Sequence, residues 1–142
     1  MVTLFEKILR GEIPSHKVAE GEKWFAFLDI FPRRSGHTLV IPRRGVQRLN
    51  ELDSNEQAAL MEGVTEVQRV LGTYFSTTDF TVCIHDGPLA GQEVPHVHIH
   101  VIPRTAGDGG TTLMAMWPSQ RPGEPNHTDL ARLASALHGE GN

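Results

Sequence analysis

The sequence has a single cysteine, Cys83, among 142 residues. One cysteine excludes a disulfide within the chain, and it excludes a metal site built from several cysteines. Because Cys83 lies in an apolar stretch that predicts a strand, we expect its thiol to be buried and unreactive.

The sequence also lacks an excess of basic charge and any long apolar run. Its net charge of −4 argues against general nucleic-acid binding, although a small anion could still bind to local groups. No apolar run approaches the roughly 18 residues that a membrane span requires. The stretch from Met1 to Lys7 lacks the apolar core of a signal peptide. We therefore expect a soluble, cytoplasmic protein without nucleic-acid or membrane partners.

What the chain does have is the composition of a folded protein. Apolar residues make up 39% of it and charged residues 21%, which is ordinary for a globular domain. A chain of this length can bury a substantial core. Because no internal repeat or second domain is evident, we expect one domain over residues 1–142, with an extension from about residue 111.

The order of patterns along the chain predicts an α+β fold. Helical spacing predicts a short helix from Leu4 to Leu9, a long helix capped by Asp53 and Glu56, and a last helix capped by Thr128. The apolar stripe of the long helix comprises Leu60, Val64, Val67, Leu71 and Tyr74. Strands are predicted at residues 16–19, 24–29, 37–42, 80–85 and 95–103. Because the strands come in hairpin-like runs, we expect an antiparallel sheet of about five strands with a long helix and short terminal helices.

Residues 95–103 read Pro-His-Val-His-Ile-His-Val-Ile-Pro, so histidine alternates with aliphatic residues. A period of two is typical of a strand, and it directs Val97, Ile99 and Val101 into a core. The three histidines, His96, His98 and His100, then form a row on the other face, about 6.5–7 Å apart. Three imidazoles side by side contribute little to packing, so we interpret this row as the active site.

Three interpretations of the row are open. It could be a core strand with incidental histidines, which three aligned histidines make improbable. It could be a metal site, but His96 and His100 are about 13 Å apart on a straight strand, so one ion would need two of the three plus His37 or a carboxylate. It could serve nucleophilic catalysis, with a central neutral imidazole attacking phosphorus while its neighbours bind the charged oxygens.

The residues that decide among these interpretations form a known signature. Residues 96–102 match the His-φ-His-φ-His-φ-φ signature of the histidine triad family, where φ is aliphatic. Residues 86–92 and 103–108 resemble the fragile histidine triad hydrolases. Residues 5–15, 26–30 and 36–42 resemble the bacterial histidine triad nucleotide-binding proteins. The resemblance covers roughly residues 3–110, and the signature itself is specific.

The resemblance implies a homodimer whose two sheets join into one, with no cofactor. It implies hydrolysis at the α-phosphate of a nucleotide conjugate through a covalent nucleotidyl-histidine. By motif position His98 is the nucleophile, His96 and His100 orient it or bind phosphate oxygens, and His37 is the fourth family histidine. Asp29 occupies the position of a ribose-binding side chain. The other expected substrate-binding residues are Ile30, His85, Gly91, Gln92, Glu93 and Val94, with the loop at residues 91–93 meeting the phosphates.

Several positions depart from the family's pattern. Many bacterial relatives have a Cys-x-x-Cys that contributes to a structural zinc, but Thr3 and Glu6 stand there in this chain, so we expect no metal. His85 replaces a frequent Asn or Gln, and Glu93 replaces a frequent Ser or Thr. The expected substrate is a nucleoside 5′-phosphate linked to an amine or to a second phosphate. The alternative, favoured by the last two changes, is a nucleotide-binding module with little or no catalysis.

Overall fold

A computed structural model describes residues 2–119 and 123–139 of the chain. These residues divide into two units, and the boundary between them in the sequence falls between residues 108 and 109. In the first unit the helices are α1 (Leu4–Leu9) and α2 (Ser54–Phe75), and the strands are β1 (Lys17–Glu20), β2 (Trp24–Leu28), β3 (Thr38–Pro42), β4 (Phe80–Ile84) and β5 (Ile99–Pro103). Single 3₁₀ turns lie at Leu49–Glu51 and Pro88–Ala90.

The strands of the first unit form one antiparallel sheet in the order β1-β2-β3-β5-β4. This confirms the predicted α+β class and the predicted sheet of about five strands. β5 lies between β3 and β4, so the histidine segment is central, while β4 is an edge strand. The register pairs Leu39 with His100 across β3 and β5, and it pairs Cys83 with His100 across β4 and β5.

Helix α2 covers one face of this sheet. Its first turn is capped as predicted: the Glu56 N–H donates to Asp53 Oδ1 over 2.8 Å, and the Asp53 N–H donates to Glu56 Oε1 over 3.0 Å. Of the predicted apolar stripe, Leu60, Val64, Val67 and Leu71 are buried with Val97, Ile99 and Val101. Tyr74 is 80% exposed, so that part of the prediction is wrong. At the end of the helix the core-facing position is taken by Phe75, which packs against the core in place of Tyr74.

The other face of the sheet carries a smaller core next to the histidines. Its buried members are Phe5, Phe27, Leu39 and Ile41, and α1 supplies the first of them. Alternation along β3 explains the arrangement, because Val40 faces α2 while Leu39 and Ile41 face α1. The histidine face is therefore partly closed by α1 and is not a bare sheet surface.

Two further expectations about the first unit need correction. The histidine strand is shorter than predicted, since β5 begins at Ile99 and His96 and His98 precede it. The ladder with β3 stops at Ile99, and the Val97 N–H donates to Val46 O over 2.8 Å instead. Cys83 is exposed, not buried, because β4 is an edge strand.

The second unit contains a 3₁₀ turn at Leu113–Met116 and helix α3 at His127–Leu137. The last helix is thus confirmed, but its cap is Asn126, whose side-chain oxygen accepts from the Asp129 N–H over 3.0 Å. Thr128 lies inside the helix, so the predicted cap was two residues too late. Three leucines of α3 are more than half exposed: Leu130, Leu133 and Leu137.

Candidate active site

His98 is buried at 7% exposure in the extended segment just before β5. Its Nδ1 lies 2.8 Å from the carbonyl oxygen of His96. A carbonyl can only accept, so Nδ1 carries the proton and Nε2 carries the lone pair of a neutral ring. Burial lowers the pKa of His98 and favours that neutral form. The edge-to-face contact with the Phe5 ring, at 5.1 Å between centroids, fixes the plane of the imidazole.

His96 is completely buried, and both of its ring nitrogens have protein partners. Nε2 lies 2.9 Å from Pro42 O and so carries the proton that this carbonyl accepts. Nδ1 lies 2.9 Å from the hydroxyl of Thr3. Burial lowers the pKa of His96. With both nitrogens occupied, this ring is a support for its neighbours, and a ligand would have to break one of these bonds to reach it.

His37 and His100 form a hydrogen-bonded pair. The Arg33 N–H donates to His37 Nδ1 over 3.1 Å, so the proton of a neutral His37 lies on Nε2. That Nε2 is 2.9 Å from His100 Nδ1, which must accept. His100 is then protonated on Nε2, which is buried and has no hydrogen-bond partner in the described part of the chain. An unpaired buried N–H is costly, so this donor is poised for an incoming acceptor.

Burial favours the neutral form of the histidine rings. Burial is the main cause that lowers the pKa of His100 to about 4, and the neighbouring His98 and His37 contribute in the same direction. Burial also lowers the pKa of His37, while the Asp29 carboxylate, 3.6 Å from His37 Nε2, opposes that shift. The row therefore presents uncharged rings with assigned tautomers, as a nucleophile and hydrogen-bond donors require.

An apolar cavity of about 280 Å³ opens on one side of His98 and His100. It is bounded by α1, the chain after it and the end of β2. Its lining includes Leu4, Phe5, Ile8, Ile13, Phe27, Leu28, Ile30, Phe31, Leu39 and Val94, with Asp29 and Glu93 among the polar exceptions. The Asp29 carboxylate also accepts from the Phe31 N–H over 2.9 Å, so it shapes the turn after β2 as well as lining the cavity.

A second cavity, also about 280 Å³ and called the polar cavity because its lining is more polar, shares His98 and His100 with the first. Its lining adds Arg33, His37, Cys83, His85, Gly91 and Ile102, and it shares Asp29, Phe31 and Glu93 with the apolar cavity. The His85 ring lies 5.4 Å from that of His100. Opposite charges thus stand in one cavity, Arg33 against Glu93 and Asp29. Arg33 and Phe31 were not singled out in the sequence, because their positions in a turn carry no pattern.

In the loop that contains residues 91–93, two backbone N–H groups have partners within the loop itself. The Gly91 N–H donates to Pro88 O over 3.0 Å, and the Gln92 N–H donates to Gly87 O over 3.2 Å. Both groups are therefore engaged within the loop. The Gln92 side chain donates to Gln47 O over 2.8 Å, and the described linings of the two cavities leave Gln92 out. Glu93 and Val94 are the loop residues that line the site with Gly91.

One set of three side chains could hold a metal ion within residues 2–119 and 123–139. The ligand atoms of Asp29, His37 and His100 all lie within 4.8 Å of one another. The two nitrogens that would bind are already joined by the 2.9 Å hydrogen bond. Two nitrogens that each lie about 2.0–2.1 Å from a tetrahedral zinc are roughly 3.3–3.4 Å apart, so the pair would have to open. Thr3 and Glu6 cap α1, and neither offers a soft sulfur ligand.

Among the helices that the structure describes, none is both long and apolar enough to cross a bilayer.

The sequence is similar to a known domain family and to several named proteins. The family model of the HIT domain matches residues 10–107. Adenosine 5′-monophosphoramidase of Schizosaccharomyces pombe is 37% identical over 119 residues, which cover 84% of this chain and 85% of that protein. The asymmetrical bis(5′-nucleosyl)-tetraphosphatase of the same organism is 46% identical over 83 residues, covering 58% of this chain and 46% of that protein.

Solved structures agree with the sequence comparisons. A crystal structure from Streptococcus mutans superimposes with a TM-score of 0.84 at 34% identity, covering 98% of this chain and 85% of that one. The domain match covers more than half of the chain, and the alternating histidines lie in and just before the central strand of a sheet of the same fold. The chain belongs to the histidine triad (HIT) family.

Proposed function

We propose that this protein hydrolyses nucleoside 5′-phosphate conjugates at the α-phosphate through a covalent nucleotidyl intermediate on His98, and that it releases a nucleoside monophosphate. One observation carries the proposal. The His96 carbonyl holds the proton of His98 on Nδ1, which leaves the Nε2 lone pair on a ring that lines both cavities. Two named relatives, a phosphoramidase and a tetraphosphatase, act on conjugates of this class.

The two cavities suggest how such a substrate would lie. The apolar cavity suits a nucleoside base, and Asp29 at its edge can accept hydrogen bonds from ribose hydroxyls. Ile30 and Val94 would contact the nucleoside there. The polar cavity, with His85, Gly91 and Glu93, would take the leaving group. The α-phosphate would then lie between them, beside His98 and His100.

The proposed chemistry has two balanced steps. His98 Nε2 forms a bond to the α-phosphorus while the bond from phosphorus to the leaving group breaks, and a departing amine takes up a proton from solvent. Water then attacks phosphorus and gives up a proton to solvent, the bond to Nε2 breaks, and the ring regains its lone pair. The His96 carbonyl stabilises the cationic ring of the intermediate through Nδ1–H. The unpaired Nε2–H of His100 would donate to a phosphoryl oxygen, with His37 holding its tautomer.

The direct test is product formation from an amine-linked adenylate in H₂¹⁸O. We expect stoichiometric AMP with one ¹⁸O on its phosphate, because water attacks phosphorus in the second step. The rival is the binding module with little or no catalysis, for which His85 and Glu93 remain the best support. Tight nucleotide binding without AMP release, across adenylated and guanylated amines and dinucleoside polyphosphates, would favour that rival.

We also propose a homodimer in which the sheet continues across the two subunits. The edge strand β4 leaves Val82 40% exposed and Cys83 exposed. Beside it, a partly apolar groove is lined by residues of α2 and its flanks, including Leu49, Leu60 and Met61. An uncovered edge strand with apolar neighbours is a pairing surface. Sedimentation at micromolar concentration should give twice the 15.7 kDa chain mass, and a monomer there would contradict the proposal.

A further inference from the structure

We infer that Thr3 is a positioning residue for His98, acting through the ring of His96; the kinetic part of this inference rests on the proposed function. Thr3 is the N-cap of α1 and lies 93 residues before His96 in the chain. Its hydroxyl makes two contacts of 3.0 Å or less, one that caps the helix and one that reaches the histidine row. In this role Thr3 does not contact the substrate.

The direction of each hydrogen bond follows from which atoms carry a proton. The Glu6 N–H donates to Thr3 Oγ1 over 3.0 Å, so that oxygen already accepts and its own proton is free to donate. His96 Nε2 carries the ring proton, because the Pro42 carbonyl that it contacts can only accept. His96 Nδ1 must therefore accept, and the Thr3 hydroxyl, 2.9 Å away, is the donor. The four groups fit in one consistent orientation.

The chain of contacts continues to the nucleophile proposed above. The backbone carbonyl of His96 accepts the proton of His98 Nδ1, and that bond places the lone pair on His98 Nε2. The ring that Thr3 holds and the carbonyl that sets the His98 tautomer belong to the same residue, His96. Phe5, in the first turn of α1, touches both rings edge-to-face, at 5.6 Å from His96 and 5.1 Å from His98. Thr3 and Phe5 thus connect the short helix to both histidines.

A hydroxyl suits this position because the buried ring must remain neutral. The charges that act on His96 are the Glu6 carboxylate, which favours a protonated ring, and His98, which opposes it, while Pro42 O accepts from the ring. A neutral donor at Nδ1 satisfies the nitrogen without adding a proton to the ring. A carboxylate in its place would accept, and it would pull a second proton onto His96.

The chain itself supplies the matched variant. Helix α2 is capped by an Asp-x-x-Glu box at Asp53 and Glu56, so Thr3→Asp gives α1 the same kind of cap while removing the donor to His96. Thr3→Ser keeps both the cap and the donor. If Thr3 serves only as a cap, the two variants should behave alike, because Ser and Asp are both favourable N-caps.

The experiment combines ring ¹⁵N NMR of the full chain at pH 7 with steady-state kinetics on an amine-linked adenylate. In the wild type and Thr3→Ser we expect His96 neutral and protonated on Nε2, with kcat within threefold of each other. In Thr3→Asp we expect His96 protonated on both nitrogens, because the new carboxylate raises the pKa of the ring. We expect kcat to fall at least tenfold, KM to change less than threefold, and the melting temperature to stay close to wild type.

Two results would overturn the inference. One is a wild-type His96 protonated on Nδ1. The other is a Thr3→Asp protein with a neutral His96 and wild-type kcat. The NMR readout needs no substrate, so a wild type that fails to release AMP would refute the proposed function while the assignment of the Thr3 donor is still tested. If Thr3→Asp does not fold, Thr3→Gly keeps an acceptable N-cap and removes the donor to His96, and a kcat within threefold of the wild type in that variant would overturn the inference.

Discussion

His98→Ala should lose at least about 10³-fold in turnover, which corresponds to more than about 4 kcal/mol of activation free energy. The substitution removes the Nε2 lone pair to which the proposed intermediate is bonded. His96 and His100 cannot replace it, because both nitrogens of His96 are occupied and His100 presents a protonated Nε2. The measurement is initial-rate hydrolysis of an amine-linked adenylate.

The binding of nucleotide provides the control for this variant. His98→Ala leaves Asp29 and the apolar side chains of the first cavity in place, so AMP should still bind, within about tenfold of the wild-type affinity. His16→Ala is the matched histidine variant, since the His16 side chain is exposed and precedes β1. It should keep wild-type turnover. A His98→Ala protein that turns over at a near-normal rate would refute the covalent mechanism.

The wild type should prefer amine-linked nucleotides over dinucleoside polyphosphates, and Glu93→Ser should narrow that preference. Glu93 lines the cavity proposed for the leaving group, where its carboxylate repels a departing polyphosphate and attracts a cationic amine. We expect a change of about 1–3 kcal/mol in the relative activation free energies, roughly 5- to 150-fold in the ratio of kcat/KM values. Glu93 is exposed, so screening by solvent favours the lower end of that range.

Two companion variants separate charge from shape in this prediction. Glu93→Gln keeps the length of the side chain and removes the charge, so it should act like Glu93→Ser if repulsion is the cause. Arg33 lines the same cavity with the opposite charge, so Arg33→Gln should shift the ratio further towards amine-linked substrates. Equal kcat/KM ratios in the wild type and Glu93→Ser would show that Glu93 points to solvent without a role.

Features that depend on residues close together in the sequence could be predicted from it. The alternation at residues 96–101 correctly predicted that Val97 and Val101 would be buried against α2, because strand geometry sends successive side chains to opposite faces. The Asp53 capping box was equally readable, since its partners are three residues apart. The extent of β5 was not, because it depends on which backbone groups of distant segments pair. β3 continues to Pro42, but Pro42 has no N–H and its carbonyl accepts from the His96 ring, while the Val97 N–H donates to Val46 O.

Contacts between distant parts of the chain explain the remaining differences. Thr3 and Glu6 have the spacing of a capping box, so the cap could have been read from the sequence. The contact of the same hydroxyl with His96, 93 residues later, could not be predicted from the sequence. Similarly, Cys83 lies in an apolar strand, and only the strand order shows that this strand is at the edge and leaves the thiol exposed. His37 was placed at the site by the family resemblance, but its bond to His100 required the fold.

The central claim is that the nucleotide becomes bonded to His98. Its most direct test is mass spectrometry of wild-type protein mixed with an amine-linked adenylate and quenched at alkaline pH within one turnover. The account predicts an adenylyl adduct on the peptide that contains His98, with fragmentation assigning it to that ring, and its disappearance as AMP is released. AMP release at full rate with no adduct, or with the adduct on another residue, would contradict it.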